Sequence, residues 1–246
     1  MFKINVLGSQ DMTPIKDNDC SHYIINEATL IDCGPMVVAN IFKYGIDASK
    51  IRNIIFTHLH ADHCVGVAPF LYYLVHIVRV AREEIKIYGP CGTKKLIADI
   101  SGSAEIFSPL DVTELAGGEM LEIDGMRIST VASQHSVPGI CLKFEKDGKA
   151  VGFTGDTYYF AELKDFFYGI DALFGETSFD FEPGEAKKKQ YGHMYATDEA
   201  RLGIDAKIKY IYLTHCRDER EKRFAVYCEN RHVPAKMVMG GDTVTV

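Results

Sequence analysis

Thr57-His58-Leu59-His60-Ala61-Asp62-His63 is the stretch on which the fold and the chemistry of this chain turn. It follows Asn53-Ile54-Ile55-Phe56, an apolar, β-branched run that predicts a strand over 52–57 and leaves the polar cluster on the loop at its end. Three imidazoles and a carboxylate at this spacing are poor core material, because each buried polar group needs a partner. A metal centre supplies that partner, since imidazole and carboxylate suit Zn²⁺, Fe²⁺ or Mn²⁺. His58 and His60 can converge on one ion while Asp62 and His63 turn towards a neighbouring one.

Matching donors follow other strand-like runs. Gln134-His135-Ser136 comes after Ile128 to Val131, Gly155-Asp156-Thr157 after Val151 to Phe153, and Thr214-His215 ends a β-branched and aromatic run. Alone, each is weak. Together they complete a set in which His58, His60 and His135 hold one divalent ion, Asp62, His63 and His215 the other, and Asp156 bridges. The abundance of imidazole favours zinc, with manganese or iron as alternatives, over magnesium.

The surrounding sequence reads as one α/β domain over 1–246, built from two related halves. Strands are expected at 2–7, 22–26, 28–32, 52–57, 84–88, 120–123, 126–132, 139–145, 149–154, 171–175, 209–214 and 236–239. Helices are expected near 34–44, 67–82, 91–100, 158–168, 194–202 and 217–230. The chain also echoes itself: GIDASKIRNIIFTH (45–58) against GIDAKIKYIYLTH (203–215), and more weakly VGFTGDT (151–157) against MVMGGDT (237–243). These echoes predict that His58 and His215 end equivalent strands, each at a C-terminal strand end where α/β folds bind ligands. Two mixed sheets face to face with helices outside would bury all the apolar runs.

Composition trims the alternatives. A formal charge of −7 argues against an extensive nucleic-acid or anionic-membrane surface. The apolar stretch from Val65 to Val80 is interrupted by His76 and Arg79 and is short for a bilayer span. The opening Met1-Phe2-Lys3-Ile4-Asn5-Val6 reads as a strand rather than a signal peptide. Seven scattered cysteines with no CxxC pair fit reduced thiols and a cytoplasmic location.

HLHADH, the later His135, the TGDT Asp156 and the closing LTH His215 together resemble the metallo-β-lactamase superfamily of metal hydrolases over nearly the whole chain. The resemblance implies a four-layer αββα sandwich, a two-metal centre and a homodimer. It also gives Asp32, in LIDCG at 30–34, a place behind the metal histidines. Gly175-Glu176-Thr177-Ser178 and Gly192-His193-Met194 are similar to the ribonuclease Z and cyclic-nucleotide phosphodiesterase branch, which implies that Glu176 orients His193 and that His193 faces the phosphate or leaving oxygen. Asp62 is then the residue that orients the nucleophile, a water whose pKa is lowered by sharing between two cations.

Ribonucleases of that branch commonly carry a long Gly/Pro-rich arm between the His135-type and Asp156-type motifs. Here the interval is short and FEKDGK (144–149) reads as a hairpin turn, so a small phosphodiester, such as a cyclic nucleotide or related cyclic phosphate, is the expected substrate. The competing readings are a tRNA 3′-processing ribonuclease, a lactone or thioester hydrolase in which Tyr159 steadies a carbonyl oxygen, and a non-catalytic metal-containing binding protein. Cys64, His22 and His76 read as structural, and the alternative to a functional His193 is an exposed histidine before a helix start with Thr197 as the N-cap. Lys187-Lys188-Lys189 reads as a solvated run before Gly192-His193.

Overall fold

The computed structural model describes residues 1–101, 110–179, 189–216 and 226–246. The chain divides into two compact units, one of residues 3–115 with 239–245, the other of residues 116–238 with the chain ends.

The first unit holds β1 (Lys3–Gln10), β2 (Asp19–Cys20), β3 (His22–Ile25), β4 (Thr29–Ile31), β5 (Asn53–Ile55), β6 (Lys86–Gly89), β7 (Asp111–Glu114) and β15 (Thr243–Thr245). In the order β15-β1-β3-β4 neighbours run antiparallel, and from β4 through β5 and β6 to β7 they run parallel, with β2 added to β1. Helices α1 (Val37–Lys43), α2 (Ala61–Cys64), α3 (Val67–Tyr72) and α4 (Thr93–Ser101) connect the parallel strands. Ile24, Leu30 and Ile54 of the sheet, Val37 and Ile41 of α1, and Val67, Phe70 and Leu71 of α3 form one buried cluster. Each such side chain contributes about 1.5–3 kcal/mol of burial energy.

The second unit holds β8 (Met120–Ile123), β9 (Met126–Ala132), β10 (Ile140–Lys146), β11 (Lys149–Phe153), β12 (Ala172–Glu176), β13 (Ile211–Thr214) and β14 (Ala235–Met237). Neighbours from β8 to β11 are antiparallel and those from β11 to β14 parallel. One face packs Leu173, Ile211 and Leu213 against Leu163 of α5 (Glu162–Phe166) and Ala196, Ala200 and Leu202 of α6 (Ala196–Asp205). The alternate positions form an aromatic ladder, Phe144–Phe153–Phe174–Tyr212, with ring centroids 5.8, 4.8 and 5.0 Å apart.

All twelve strands expected from the sequence are present with ends within three residues of expectation. Among the described residues three short ones, β2, β7 and β15, are additional. The expected helix at 217–230 lies largely outside the described residues, as do Lys187 and Lys188. Helix α6 begins after Tyr195 rather than Thr197, because the Asp198 carboxylate accepts from Tyr195 N–H at 3.2 Å and closes the first turn there. Ala61–Val78, with a π-helical turn at Tyr73–Val78, is long and apolar enough by length and composition to cross a membrane, yet Val67, Phe70, Leu71 and Leu74 are buried in the first unit's core.

The two sheets share one pattern of strand directions, but the longer echo does not follow it. Counting from the strand where antiparallel gives way to parallel, β4 matches β11 and β5 matches β12. His58 follows β5 and His215 follows β13, so the two do not end equivalent strands. The strand ends that do correspond carry Asp32 and Asp156.

Candidate metal centre

In the first unit β4 and β5 are parallel neighbours, so their C-terminal ends emerge side by side. Asp32, in the turn after β4 with a left-handed φ of 55°, accepts from Thr57 N–H at 2.7 Å and from Thr57 Oγ1 at 2.8 Å. It also lies 2.8 Å from His63 Nδ1. A carboxylate accepts only, so Nδ1 carries the proton and Nε2 is the nitrogen His63 presents to an ion. His63 Nε2 is 3.4 Å from Asp62 Oδ2, and the His58 ring is 4.9 Å from that of His60 and 4.1 Å from that of His63. The four donors of the opening motif form one cluster, with Asp32 and Thr57 holding it from behind.

In the second unit Asp156 follows β11 and is buried. Its Oδ2 lies 3.3 Å from His215 Nε2, 3.8 Å from His193 Nδ1 and 3.9 Å from His135 Nε2. His135 Nδ1 donates to the Gly192 carbonyl at 2.7 Å, which points its Nε2 towards Asp156. Gly192 has φ 70°, and a Cβ there would stand 2.8 Å from His135 Nδ1, so both backbone and space require glycine. His215 has a left-handed φ of 56°, a costly conformation for a β-carbon-bearing residue and typical of functional sites. Donor atoms of Asp156, Glu176, His193 and His215 all lie within 4.8 Å of one another.

Glu176 ends β12 and accepts from Thr157 N–H at 2.8 Å. His193 Nδ1 is 3.1 Å from both its carboxylate oxygens. Phe179 packs edge-on against the His193 ring at 5.5 Å. Ser178 was not singled out by the sequence, yet its hydroxyl bonds Glu176 Oε2 and lies 3.1 Å from His193 Nδ1 and 2.7 Å from His215 Nδ1. A lone serine two residues beyond a glutamate carries no periodic or motif signal; only the fold reveals its neighbours.

Each unit thus carries a cluster of largely buried imidazole and carboxylate donors, with the tautomers of His63 and His135 set by hydrogen bonds behind them. That donor chemistry fits divalent transition metals. The bystanders separate clearly. The Cys64 thiol contacts the Leu59 carbonyl, and burial pushes it up to about 11, so it stays protonated. His22 is fully buried with Nδ1 2.8 Å from the Cys20 carbonyl, and burial lowers its pKa and keeps it neutral. Tyr159 packs against the core of the second unit with the Arg201 guanidinium 4.4 Å over its ring.

Residues 28–216 match the β-lactamase superfamily domain. The chain is 24% identical to the ribonuclease Z of Methanothermobacter thermautotrophicus, covering 93% of this chain and 91% of that protein. That alignment runs over 282 positions, more than the 246 residues of the chain, so the relative has segments this chain lacks. Among solved structures, the metallo-β-lactamase fold protein YhfI of Bacillus subtilis aligns with a TM-score of 0.86 at 19% identity, over 99% of this chain and 98% of that one. The short form of human tRNase Z aligns with a TM-score of 0.82 at 18% identity, over 99% of each. The fold is therefore the metallo-β-lactamase αββα class expected from the sequence.

Proposed function

The chain belongs to the β-lactamase superfamily, and on that premise we propose that it is a metal-dependent phosphodiesterase of the ribonuclease Z type, acting on RNA phosphodiesters. The observation that carries the phosphodiester reading is His193: Glu176 holds it at 3.1 Å, 3.8 Å from Asp156, outside the metal-ligand positions read from the sequence. The substrate class follows the similarity to ribonuclease Z along the length of the chain. A small phosphodiester stood first on the sequence alone, and it is the second reading. It is favoured by the interval between His135 and Asp156, which holds only the β10–β11 hairpin with its Asp147-Gly148 turn, and by the net charge of −7. The lactone reading loses support because the Tyr159 ring is engaged by Arg201.

The ligand assignment follows the sequence motif: His58, His60 and His135 for one ion, Asp62, His63 and His215 for the other, Asp156 for both, with zinc the first candidate. When bound, the two ions supply Lewis acidity and lower the pKa of water towards neutrality. The rest falls to side chains. Asp62 orients the attacking water through its carboxylate. The Glu176 carboxylate accepts the His193 Nδ1–H and stabilises the imidazolium, so that Nε2 donates to a phosphate oxygen or passes a proton to the departing alkoxide.

A substrate panel tests this reading. It comprises a precursor tRNA with a 3′ trailer, cyclic nucleotides, bis-p-nitrophenyl phosphate, an acyl-homoserine lactone and a thioester, each with Zn²⁺ and with Mn²⁺. Trailer removal supports the ribonuclease reading, and cyclic-nucleotide turnover without it promotes the second. Lactone or thioester turnover above every phosphodiester overturns both.

A further inference from the structure

Ser178 is buried, and one hydroxyl there serves three neighbours with chemistry of their own. A hydroxyl has one proton to donate and two lone pairs to accept with. The Glu176 carboxylate can only accept, so the Ser178 proton goes to Glu176 Oε2. Towards His215, 2.7 Å away, Ser178 Oγ must then accept, which places the His215 proton on Nδ1. That leaves Nε2 as the basic nitrogen of His215, on the side of Asp156 Oδ2 at 3.3 Å. His193 Nδ1, 3.1 Å from both Glu176 oxygens, donates to the same carboxylate. The rings of His193 and His215 lie nearly parallel, 17° apart, with centroids separated by 5.6 Å. The first unit solves the same problem differently, with Asp32 bonded directly to His63. In the second unit the carboxylate stands 4.0 Å from His215 Nδ1, and the serine oxygen fills the gap.

We propose that Ser178 is a positioning residue of the hydrolytic site, whose single hydroxyl sets the tautomer of the metal ligand His215 and ties it to the Glu176–His193 pair. The inference deepens the function proposed above and rests on it for the word hydrolytic. Metal retention at His215 and the placement of His193 then depend on the same oxygen. Replacing it leaves His215 Nδ1 without its acceptor and the Glu176 carboxylate without one of its donors. Threonine keeps the hydroxyl; alanine removes it.

The test compares Ser178→Ala and Ser178→Thr in the full-length protein. Zinc affinity is measured by chelator competition, and kcat and KM on bis-p-nitrophenyl phosphate. Ser178→Ala should bind the more weakly held zinc about 10–100-fold less tightly and lower kcat by a similar factor, with KM nearly unchanged. Ser178→Thr should restore both to within about threefold of the parent. Alanine with parental zinc affinity overturns the proposal, and so does threonine no better than alanine. A parent chain that turns over no phosphodiester defeats the proposed function, while the zinc measurements still decide the role of Ser178.

Discussion

His193 is tied into the second unit by a carboxylate, a hydroxyl and an aromatic edge, contacts that fix the ring without needing a metal. Its replacement should therefore separate chemistry from metal binding. His193→Ala is expected to keep its metal content in elemental analysis while kcat falls about 10²–10⁴-fold, the range for losing one proton donor or transition-state hydrogen bond. Substrate affinity should change far less. Loss of metal alongside activity would instead make His193 a ligand. At this scale the ligand residues were legible because imidazole and carboxylate clustered at strand ends have few other uses. Ser178 and Thr57 were not, because what gives each hydroxyl its role here includes a partner distant in sequence, 37 residues for the Ser178–His215 contact and 25 for Thr57–Asp32.

Helix α6 meets strand β12 through an unusual pair. Gly175 lies under Glu199, and a Cβ on that glycine would stand 2.5 Å from the Glu199 carboxyl. Glu199 is fully buried, and neither of its oxygens has a hydrogen-bond partner among the described residues. Burial first, then the neighbouring carboxylates of Glu176 and Asp198, raise its pKa well above the usual glutamate value. The folded state thus holds this proton at a pH where the unfolded chain has released it. The associated stability is complete below the unfolded value, about 4.3, and is lost as pH rises through the raised folded value. Glu199→Gln has no such proton. Urea unfolding at pH 5, 6 and 7 should show the variant gaining on the parent by up to about 1.4 kcal/mol per pH unit. A constant difference across that range would mean that Glu199 ionises normally. The elements themselves were largely visible in advance, since alternating or continuous apolar runs with turn residues at both ends mark strands. Those overlooked, β2, β7 and β15, are two to four residues long, and two of them, DVTE and TVT, are polar and largely exposed. The helix expected near 194–202 is α6, Ala196–Asp205; Thr197 is an ordinary cap by composition, but the first turn is closed at Tyr195, to which Asp198 bonds back.

Over the whole molecule, the pattern of strand directions is repeated from one sheet to the other while the sequence echo is offset by one strand. GIDA followed by a strand and Thr-His recurs because each half has parallel strands after helices. Local similarity of that kind cannot say which parallel strand it describes, so duplication was readable and strand equivalence was not. The repeated architecture leaves both halves with polar residues at C-terminal strand ends. Asp62 and His63 of one half, and Asp156 and His215 of the other, have at most about one-twentieth of their surface exposed. Within the second unit the donor oxygens of Asp156 and Glu176 lie within 4.8 Å of each other, so these carboxylates repel, and the desolvation of buried carboxylates in either unit opposes folding until cations are supplied. Metal bound by the native state alone stabilises it by about 4 kcal/mol at a free concentration 1,000 times the Kd. For a chain of this size each kcal/mol raises Tm by about 2–4 °C, so removing metal with a chelator should lower Tm by roughly 8–16 °C, and returning Zn²⁺ should restore it. Asp156→Ala should lose most of this metal-dependent shift, and His193→Ala should keep it. A parent protein whose Tm is the same with chelator and with added Zn²⁺ or Mn²⁺ would mean that these buried donors are satisfied by one another rather than by metal.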